Sequence, residues 1–184
     1  MDAAAAGATR PPREMTVADV LDFIDDMAGL GVRIWLDGGW AVDACLGRQT
    51  RRHGDLDIVI EERRVTTAVA ALEAGGYRPL PRDDTRPWNF VLGDATGHEI
   101  DFHVIVIDEA GRGRYGPAEV GVFAYEPEAL AHTGQIGGRA VACTPPEWLV
   151  RWHTGYELRA HDVADVRALC EHFGIPLPEG YQSR

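Results

Sequence analysis

Apolar residues recur at steps of three and four positions along residues 17–28, which is the period of a helix with one buried face. Thr16 precedes this run as an expected N-cap, Asp19 follows three positions later, and Gly29 marks the end. The same period and the same end signals predict further helices over 40–46, 63–74, 145–152 and 161–173. The pattern therefore predicts five helices, spread from the N-terminal to the C-terminal part of the chain.

Short apolar runs between these helices predict β-strands, over 33–36, 55–60, 77–80, 88–92, 99–107 and 140–143. The sequence Asp94-Ala95-Thr96-Gly97 separates two of these runs and is typical of a hairpin turn. Residues 112–144 are rich in Gly and Pro, and there the pattern adds only a short helix over 127–131. Strands and helices thus alternate through the middle of the chain.

The length and composition suit one globular core. The chain has 184 residues, 45% of them apolar, which is enough for one domain with a small appendage. Residues 1–14 carry an Ala run and a Pro pair without an apolar period, and this predicts a flexible tail. We therefore predict a core over 15–143 followed by a helical segment over 144–184.

Net charge and cysteine content limit the classes of binding partner and the cellular location to be expected. A net charge of -11 disfavours binding of a nucleic-acid backbone, unless the average hides a basic patch, and suits a cationic small molecule. The three cysteines lack metal-type spacing, and the N-terminus lacks an apolar stretch of signal-peptide or membrane-span length. We expect a cytoplasmic protein that binds neither nucleic acid nor a membrane.

Two carboxylates lie at the start of the strand predicted over 55–60. Asp55 and Asp57 are two positions apart, so their side chains point to the same side of the strand. The opposite side is apolar and is formed by Leu56, Ile58 and Ile60. Paired carboxylate oxygens are suitable ligands for Mg²⁺, although an isolated Asp-x-Asp is equally compatible with a solvated strand end.

Two further features favour metal-assisted phosphate chemistry. Gly38 and Gly39 lie between a strand and a helix, where backbone N–H groups can approach phosphate. Asp101 lies on the strand over 99–107 and shares a face with His103. If this strand is adjacent to the one over 55–60, the three aspartates form a cluster for one metal and a base, or for two metals.

Other prominent residues have simpler explanations. Most of the large aromatics at strand and helix positions are expected in the core, namely Trp35, Trp40, Trp148 and Trp152. Trp40 is the exception to test, because it begins the helix after the glycine pair. Asp162 and Asp165 are predicted to be surface charges.

The segments 35–43 and 47–58 resemble the small antibiotic nucleotidyltransferases of the polymerase-β-like superfamily, in which a Gly-Gly or Gly-Ser turn precedes Asp-x-Asp on the next strand. The resemblance extends from about residue 16 to residue 173. It is strongest to the lincosamide nucleotidyltransferases, through 100–103, 142–143 and 153–158, with the aminoglycoside 2''-adenylyltransferases next. It implies an α+β nucleotidyltransferase fold, with a mixed β-sheet flanked by helices and a small C-terminal helical segment.

The resemblance also implies roles for individual residues. Asp55, Asp57 and Asp101 would be catalytic metal ligands, with Asp101 as ligand or as general base on the acceptor hydroxyl. The nucleotide would contact Gly38, Gly39, Trp40, Arg51 and His53, the last two neutralising the leaving pyrophosphate. The other substrate would contact His103, His153 and Tyr156.

The implied reaction is Mg²⁺-dependent, with two ions, and moves a nucleoside monophosphate from a nucleoside triphosphate to a hydroxyl of a cationic antibiotic, releasing pyrophosphate. AMP from ATP is the expected donor group. A lincosamide is the first choice of acceptor and an aminoglycoside the second. The chain departs from the lincosamide pattern at Arg52, where Glu is usual, and across 83–97, which leaves the acceptor open. A homodimer is expected by resemblance.

Two alternatives stay open. One is a toxin–antitoxin nucleotidyltransferase that modifies protein or RNA, although the length and the C-terminal helices disfavour its minimal forms. The other is an inactive domain that only binds nucleotides or partners, against which the intact glycines and aspartates count.

Overall fold

The computed structural model describes residues 14–117, 123–153 and 157–181. Its α-helices are α1 Val17–Gly29, α2 Gly38–Leu46, α3 Glu62–Ala74, α4 Pro146–Trp152 and α5 Ala160–Phe173. Thr16 caps α1 through a reciprocal capping box with Asp19, as the sequence predicts. The predicted start of α2 at Trp40 is wrong by two residues, because Gly38 and Gly39 form its first turn.

The described strands are β1 Ile34–Leu36, β2 Asp55–Glu61, β3 Arg78–Leu80, β4 Asn89–Gly93, β5 Glu99–Ile107, β6 Gly113–Tyr115, β7 Phe123–Tyr125, β8 Thr133–Ile136 and β9 Arg139–Ala142. A seven-stranded sheet has the order β1-β2-β5-β4-β3, and β6 pairs with β5 and with β7. The pair β2–β5 is parallel, while the other pairs in this sheet are antiparallel. The sheet is therefore mixed, which confirms the predicted α+β class, and β8–β9 form a separate hairpin.

In the Gly- and Pro-rich segment 112–144, the sequence pattern predicted only one strand, over 140–143. This was wrong, because β6, β7 and β8 also lie in this segment. β6 and β7 have three residues each and β8 has four, too short for a period of two to be recognised. Their pairing is decided by tertiary packing. A Cβ at Gly113 would lie 2.6 Å from Cδ1 of Ile105, so a larger residue here would force the Ile105 side chain to move. The helix predicted over 127–131 is a 3₁₀ turn, Ala129–Ala131.

One hydrophobic core joins the sheet to the C-terminal helices. The apolar side of β2 is fully buried, as predicted for Leu56, Ile58 and Ile60. Leu149 of α4 and Val166 of α5 belong to the same cluster of buried side chains. Helices α4 and α5 therefore pack into the core that the sheet begins.

Some predictions about exposure need correction. Asp162 and Asp165 are 1% and 3% exposed, so the prediction that they are surface charges is wrong. Each is buried beside an arginine, Arg159 and Arg51 respectively. Within the described residues, no helix has the length and the apolar character needed to cross a membrane.

Candidate active site

The register of two parallel strands brings the predicted aspartates together. β2 and β5 are neighbours, with Asp57 opposite Asp101 and Asp55 opposite Glu99. In a parallel pair, opposite residues project to the same face of the sheet. The sequence predicts a cluster of three aspartates only if these two strands are adjacent, and the structure confirms that they are.

The first turn of α2 packs directly on β2. The backbone N–H of Asp37 donates to the carbonyl of Asp57 at 2.9 Å. Gly38 has a φ of +52°, and a Cβ there would lie 2.1 Å from Oδ2 of Asp57. Only glycine fits this position, because it accepts the left-handed backbone and leaves room for the carboxylate. The N-terminus of α2 therefore faces the aspartates at close range.

These groups line a cavity of about 820 Å³. Its acidic side is formed by Asp37, Asp55, Asp57, Asp84, Glu99 and Asp101. The residues contributed by α4, α5 and the segments beside them are Leu149, Trp152, His153, Arg159, His161 and Asp162. A cavity of this size accommodates a nucleotide or a drug-sized ligand.

Crowding of negative charge changes the titration of the aspartates. Burial and the neighbouring carboxylate of Asp55 raise the pKa of Asp57 to about 7. Burial also raises the pKa of Asp101, with the charge of Asp55 adding to it and that of His103 opposing it. Such a cluster is stabilised by a cation, since each carboxylate disfavours ionisation of the next.

Asp37 and His103 form a charged pair beside the aspartates. Nδ1 of His103 lies 3.1 Å from Oδ2 of Asp37, and the hydroxyl of Tyr125 donates to the same oxygen at 3.2 Å. Burial alone would lower the pKa of His103, but the hydrogen bond and the charge of Asp37 raise it to about 9. His103 therefore carries a positive charge near neutral pH and faces the cavity.

The residues present fit a divalent cation. One oxygen from each of Asp57 and Asp101 and one ring nitrogen of His103 lie within 4.8 Å of one another, so a cation here would be held by the two carboxylates with the charged His103 beside them. Oδ1 of Asp101 is buried and has no hydrogen-bond partner within the described residues. A buried carboxylate oxygen without a donor is costly unless something binds it, and oxygen ligands are those that Mg²⁺ prefers.

Most of the predicted site residues that the structure describes line this cavity, namely Gly38, Gly39, Arg51, Asp55, Asp57, Asp101, His103 and His153. Trp40 and His53, for which the family resemblance implies contact with the nucleotide, do not line it. Trp40 is 1% exposed and packs in the core. Tyr156 lies outside the described residues.

His53 is buried behind the glycine turn. Its Nε2 lies 2.5 Å from Oδ2 of Asp43 on α2, and its ring packs against Trp40 at 4.6 Å between centroids. A Cβ at Gly39 would lie 2.6 Å from Nδ1 of His53. The geometry thus gives His53 a supporting position under the turn, and its contact with pyrophosphate stays a prediction.

Arg51 lies at the cavity but is already paired. Its guanidinium donates to the carboxylate of Asp165 on α5, with Nη2 at 2.9 Å from Oδ2. The side chain of Arg51 is 29% exposed and that of Asp165 only 4%. The pair fixes the arginine against Gly39 and links α5 to the site.

Several lining residues escaped the sequence analysis, above all Asp37, Asp84, Tyr115 and Tyr125. Asp37 carried a recognisable signal, because it immediately precedes the first turn of α2. Glu99 also carried a recognisable signal, because residues two positions apart on a strand share a face and Glu99 lies two positions before Asp101. The two tyrosines come from β6 and β7, which the pattern did not predict.

Comparisons with known proteins agree with this geometry. The family described as aminoglycoside-2''-adenylyltransferase matches residues 17–169. A lincosamide resistance protein of Staphylococcus haemolyticus is 28% identical over 150 residues, covering 82% of this chain and 89% of that protein. A 2''-aminoglycoside nucleotidyltransferase of Escherichia coli is 41% identical over 51 residues, which is 28% of this chain and 29% of that protein.

Solved structures are similar over most of the chain. The lincomycin-bound lincosamide antibiotic adenylyltransferase LnuA has a TM-score of 0.77 at 25% identity, covering 89% of this chain and 100% of that one. ANT(2'')-Ia in complex with adenylyl-2''-tobramycin has a TM-score of 0.65 at 24% identity, covering 86% and 89%. The second likeness supports the fold alone.

Proposed function

The chain belongs to the aminoglycoside-2''-adenylyltransferase family and is a nucleotidyltransferase of the antibiotic-resistance type, and on this premise we propose its donor, acceptor and catalytic residues. The proposed reaction transfers AMP from ATP to a hydroxyl of a lincosamide and releases pyrophosphate. Another nucleoside triphosphate is the alternative donor.

The main support for the proposal is the placement of the glycine turn against the paired aspartates. The parallel register sets Asp57 beside Asp101, and Gly38 lies against Asp57 at a distance only glycine permits. Carboxylates for a metal and backbone N–H groups for phosphate therefore meet at one wall of one cavity. This combination is what in-line nucleotidyl transfer requires.

The donor half of the site is formed by the first turn of α2 and the acidic strands. The N–H groups of Gly38 and Gly39 lie at a helix N-terminus, which favours phosphate. Asp55, Asp57 and Asp101 would hold Mg²⁺, with two ions as the proposed number. When bound, Mg²⁺ supplies neutralisation of the phosphate oxygens. Arg51, fixed by Asp165, adds a positive charge at the same wall.

In the transfer step, the acceptor hydroxyl oxygen forms a bond to the α-phosphorus while the bond from that phosphorus to the pyrophosphate oxygen breaks. The hydroxyl proton needs an acceptor. We assign it to Asp101, whose Oδ1 is buried and has no hydrogen-bond partner among the described residues. The charged His103 beside it is held by Asp37 and contributes positive charge near the developing phosphate charge.

The part of the cavity left for the acceptor is acidic and favours a positively charged acceptor molecule. Asp84 and Glu99 extend the acidic side of the cavity beyond the three aspartates. Lincosamides and aminoglycosides both carry basic nitrogen. The lincosamide is proposed first, because the Staphylococcus haemolyticus relative and LnuA match over most of their length. The aminoglycoside is the second candidate, favoured by the family match itself.

Other expectations stay predictions. The described structure is of one chain, so the homodimer expected by resemblance is to be tested by light scattering of the purified protein. A cytoplasmic location agrees with three cysteines in the free thiol form.

The test is direct detection of the modified antibiotic. The protein is incubated with each nucleoside triphosphate, Mg²⁺ and either lincomycin or an aminoglycoside such as tobramycin, and products are identified by mass spectrometry. We expect an adenylyl adduct of lincomycin and equimolar pyrophosphate. An adduct on the aminoglycoside alone would select the second candidate, and pyrophosphate without any adduct would contradict both.

A further inference from the structure

A second cluster of metal-binding side chains lies at the opposite end of α2 from the glycine turn. Cys45 is the penultimate residue of α2, His132 precedes β8, and Cys143 follows β9. One ligand atom from each of the three lies within 4.8 Å of the others. None of them lines the cavity described above.

The distances suit a tetrahedral soft-metal site. Sγ of Cys45 lies 3.7 Å from Nε2 of His132. In tetrahedral zinc, with Zn–S of about 2.3 Å and Zn–N of about 2.0 Å, neighbouring ligand atoms are roughly 3.5–3.8 Å apart. The Cys45–His132 distance therefore already matches a tetrahedral site, and the other two pairs of ligand atoms lie within 4.8 Å.

The backbone around the cluster is fixed by close packing. A Cβ at Gly134 would lie 2.4 Å from the carbonyl oxygen of Ala44, so β8 approaches the last turn of α2 only because residue 134 is glycine. The backbone N–H of Cys143 donates to the carbonyl of His132 at 3.3 Å. Cys143 also pairs with Leu36 at the end of β1. Three separate elements thus hold the three side chains in place.

We propose that Cys45, His132 and Cys143 bind a zinc ion that clips the β8–β9 hairpin to the C-terminal end of α2. Two thiolates and one imidazole are typical zinc ligands, and each thiol gives up its proton to solvent on binding. Glu147 on α4 lies near enough to act electrostatically on both Cys45 and His132. Its negative charge favours a bound cation, and a water molecule would complete the tetrahedron.

The proposed zinc site would have a structural role and would not take part in the transfer reaction. Because α2 begins at the glycine turn of the active site, a clip at its other end stiffens the helix that presents Gly38 and Gly39. Spacing along the sequence disfavoured a metal site, since Cys45 lies far along the chain from the hairpin flanked by His132 and Cys143, and only the fold brings them together.

Cobalt spectroscopy on the full chain, kept reduced with a phosphine, tests the proposal. We expect one equivalent of Co²⁺ to give a thiolate-to-cobalt charge-transfer band that zinc displaces. The band separates this cluster from the aspartate site, which has no thiolate ligand and cannot produce it. Zinc should also raise the Tm by about 5 °C or more when present at about 100 times its Kd.

Variants locate the ions. Cys45→Ser removes one of the two thiolates and should reduce the charge-transfer band to half or less and largely remove the zinc-dependent rise in Tm. His132→Gln removes the imidazole and should weaken cobalt and zinc binding. Both changes are at half-buried residues. Cys143→Ser is a harsher change because Cys143 is fully buried. Cys170→Ser is the matched control, since Cys170 is a free thiol outside the cluster and should keep both effects.

Three results would overturn the proposal. They are the absence of a charge-transfer band in the reduced wild-type chain, a band of undiminished intensity in Cys45→Ser, and an equal rise in Tm with zinc in wild type and Cys45→Ser. Loss of the band in Cys170→Ser would place the thiolate ligand elsewhere and would also contradict it.

Discussion

At the scale of single residues, the site depends on how closely the backbone at Gly38 approaches the carboxylate of Asp57. A Cβ at Gly38 would overlap Asp57, whereas Gly47, at the other end of the same helix, has open space around it. Both have positive φ, +52° and +67° respectively. The two glycines therefore separate the effect of backbone strain from that of a collision with the catalytic carboxylate.

Gly38→Ala should reduce nucleotidyl transfer by about 10²-fold or more, because displacing Asp57 by even 1 Å misplaces the reacting groups. Gly47→Ala should lower the free energy of unfolding by about 1 kcal/mol and leave turnover of the folded protein unchanged. Both are measured by pyrophosphate release and urea denaturation. Equal turnover in the two variants would remove the close approach from the mechanism.

Asp101→Asn should leave ATP binding largely intact but reduce transfer by about 10²–10⁴-fold, since the amide cannot accept the acceptor proton. Calorimetric titration with ATP and single-turnover transfer separate binding from chemistry. Asp22→Asn is the control, because Asp22 is exposed on α1 and does not line the cavity. Near-normal transfer by Asp101→Asn would exclude Asp101 as the base.

At the scale of elements, the loop between α2 and β2 is tied to α2 by buried polar contacts. Oδ1 of Asp43 accepts from the backbone N–H and the hydroxyl of Thr50, at 2.9 and 2.5 Å. Oδ2 lies against Nε2 of His53, which is 2% exposed. The loop that carries Arg51 to the cavity is thus anchored on both sides of that residue.

His53→Ala should lower the free energy of unfolding by about 2–4 kcal/mol, because it leaves a buried carboxylate oxygen of Asp43 without its partner and creates a cavity. Urea denaturation at neutral pH measures this. Arg52→Ala is the neighbouring control, since the Arg52 side chain is 82% exposed. Unchanged stability with a raised KM for ATP would instead support the phosphate contact that the sequence suggested.

The β4–β5 hairpin turn depends on one carboxylate. Oδ1 of Asp94 accepts from the backbone N–H groups of Thr96, Gly97 and His98 at 2.8–2.9 Å. Burial would raise the pKa of Asp94, but hydrogen bonds from Thr96 and from these N–H groups lower it. The charged form is therefore favoured in the folded state.

Asp94→Ala should lower the free energy of unfolding by about 1–2 kcal/mol near neutral pH. Since the folded pKa lies below the unfolded value of about 3.9, this contribution is fully present above that value and is lost as the pH falls through the folded pKa. Denaturation at about pH 7 and about pH 3 should show the difference between wild type and variant shrinking at the lower pH. Exposed Asp83→Ala is the control, and a difference independent of pH would contradict the role of the charge.

At the scale of the whole molecule, the C-terminal helices complete the core and close the cavity. Leu149, Val166 and Leu169 share one buried cluster with the sheet. Tyr181 is 1% exposed, its hydroxyl donates to the carbonyl of His153, and its own carbonyl accepts from Arg167. The boundary predicted at 143–144 therefore separates sequence patterns within one packed body.

The chain should unfold in one cooperative transition, because one core joins its two predicted parts. Far-ultraviolet circular dichroism and tryptophan fluorescence should give coincident denaturation curves. A chain ending before Thr144 should fail to fold, since it exposes the surface that α4 and α5 cover. Two separated transitions, or a folded truncated chain, would establish independent domains.

The sequence by itself determined the elements and the chemistry that lies within one strand or turn. Helical period, capping residues and alternation depend on neighbours in the chain, so α1, α3, α5, β2 and β5 were predicted to within a residue or two. The Asp-x-Asp pair on one side of β2 follows from the same local rule.

Only the tertiary structure decided which groups meet across the chain. The parallel register that sets Asp57 beside Asp101, the pairing of Asp37 with His103 and the burial of His53 all depend on contacts between distant segments. Short strands such as β6 and β7 have no readable period and acquire their structure from the sheet they join. The acidic cavity, and the thiol–imidazole cluster at the far end of α2, exist because folding brings such segments within a few ångströms.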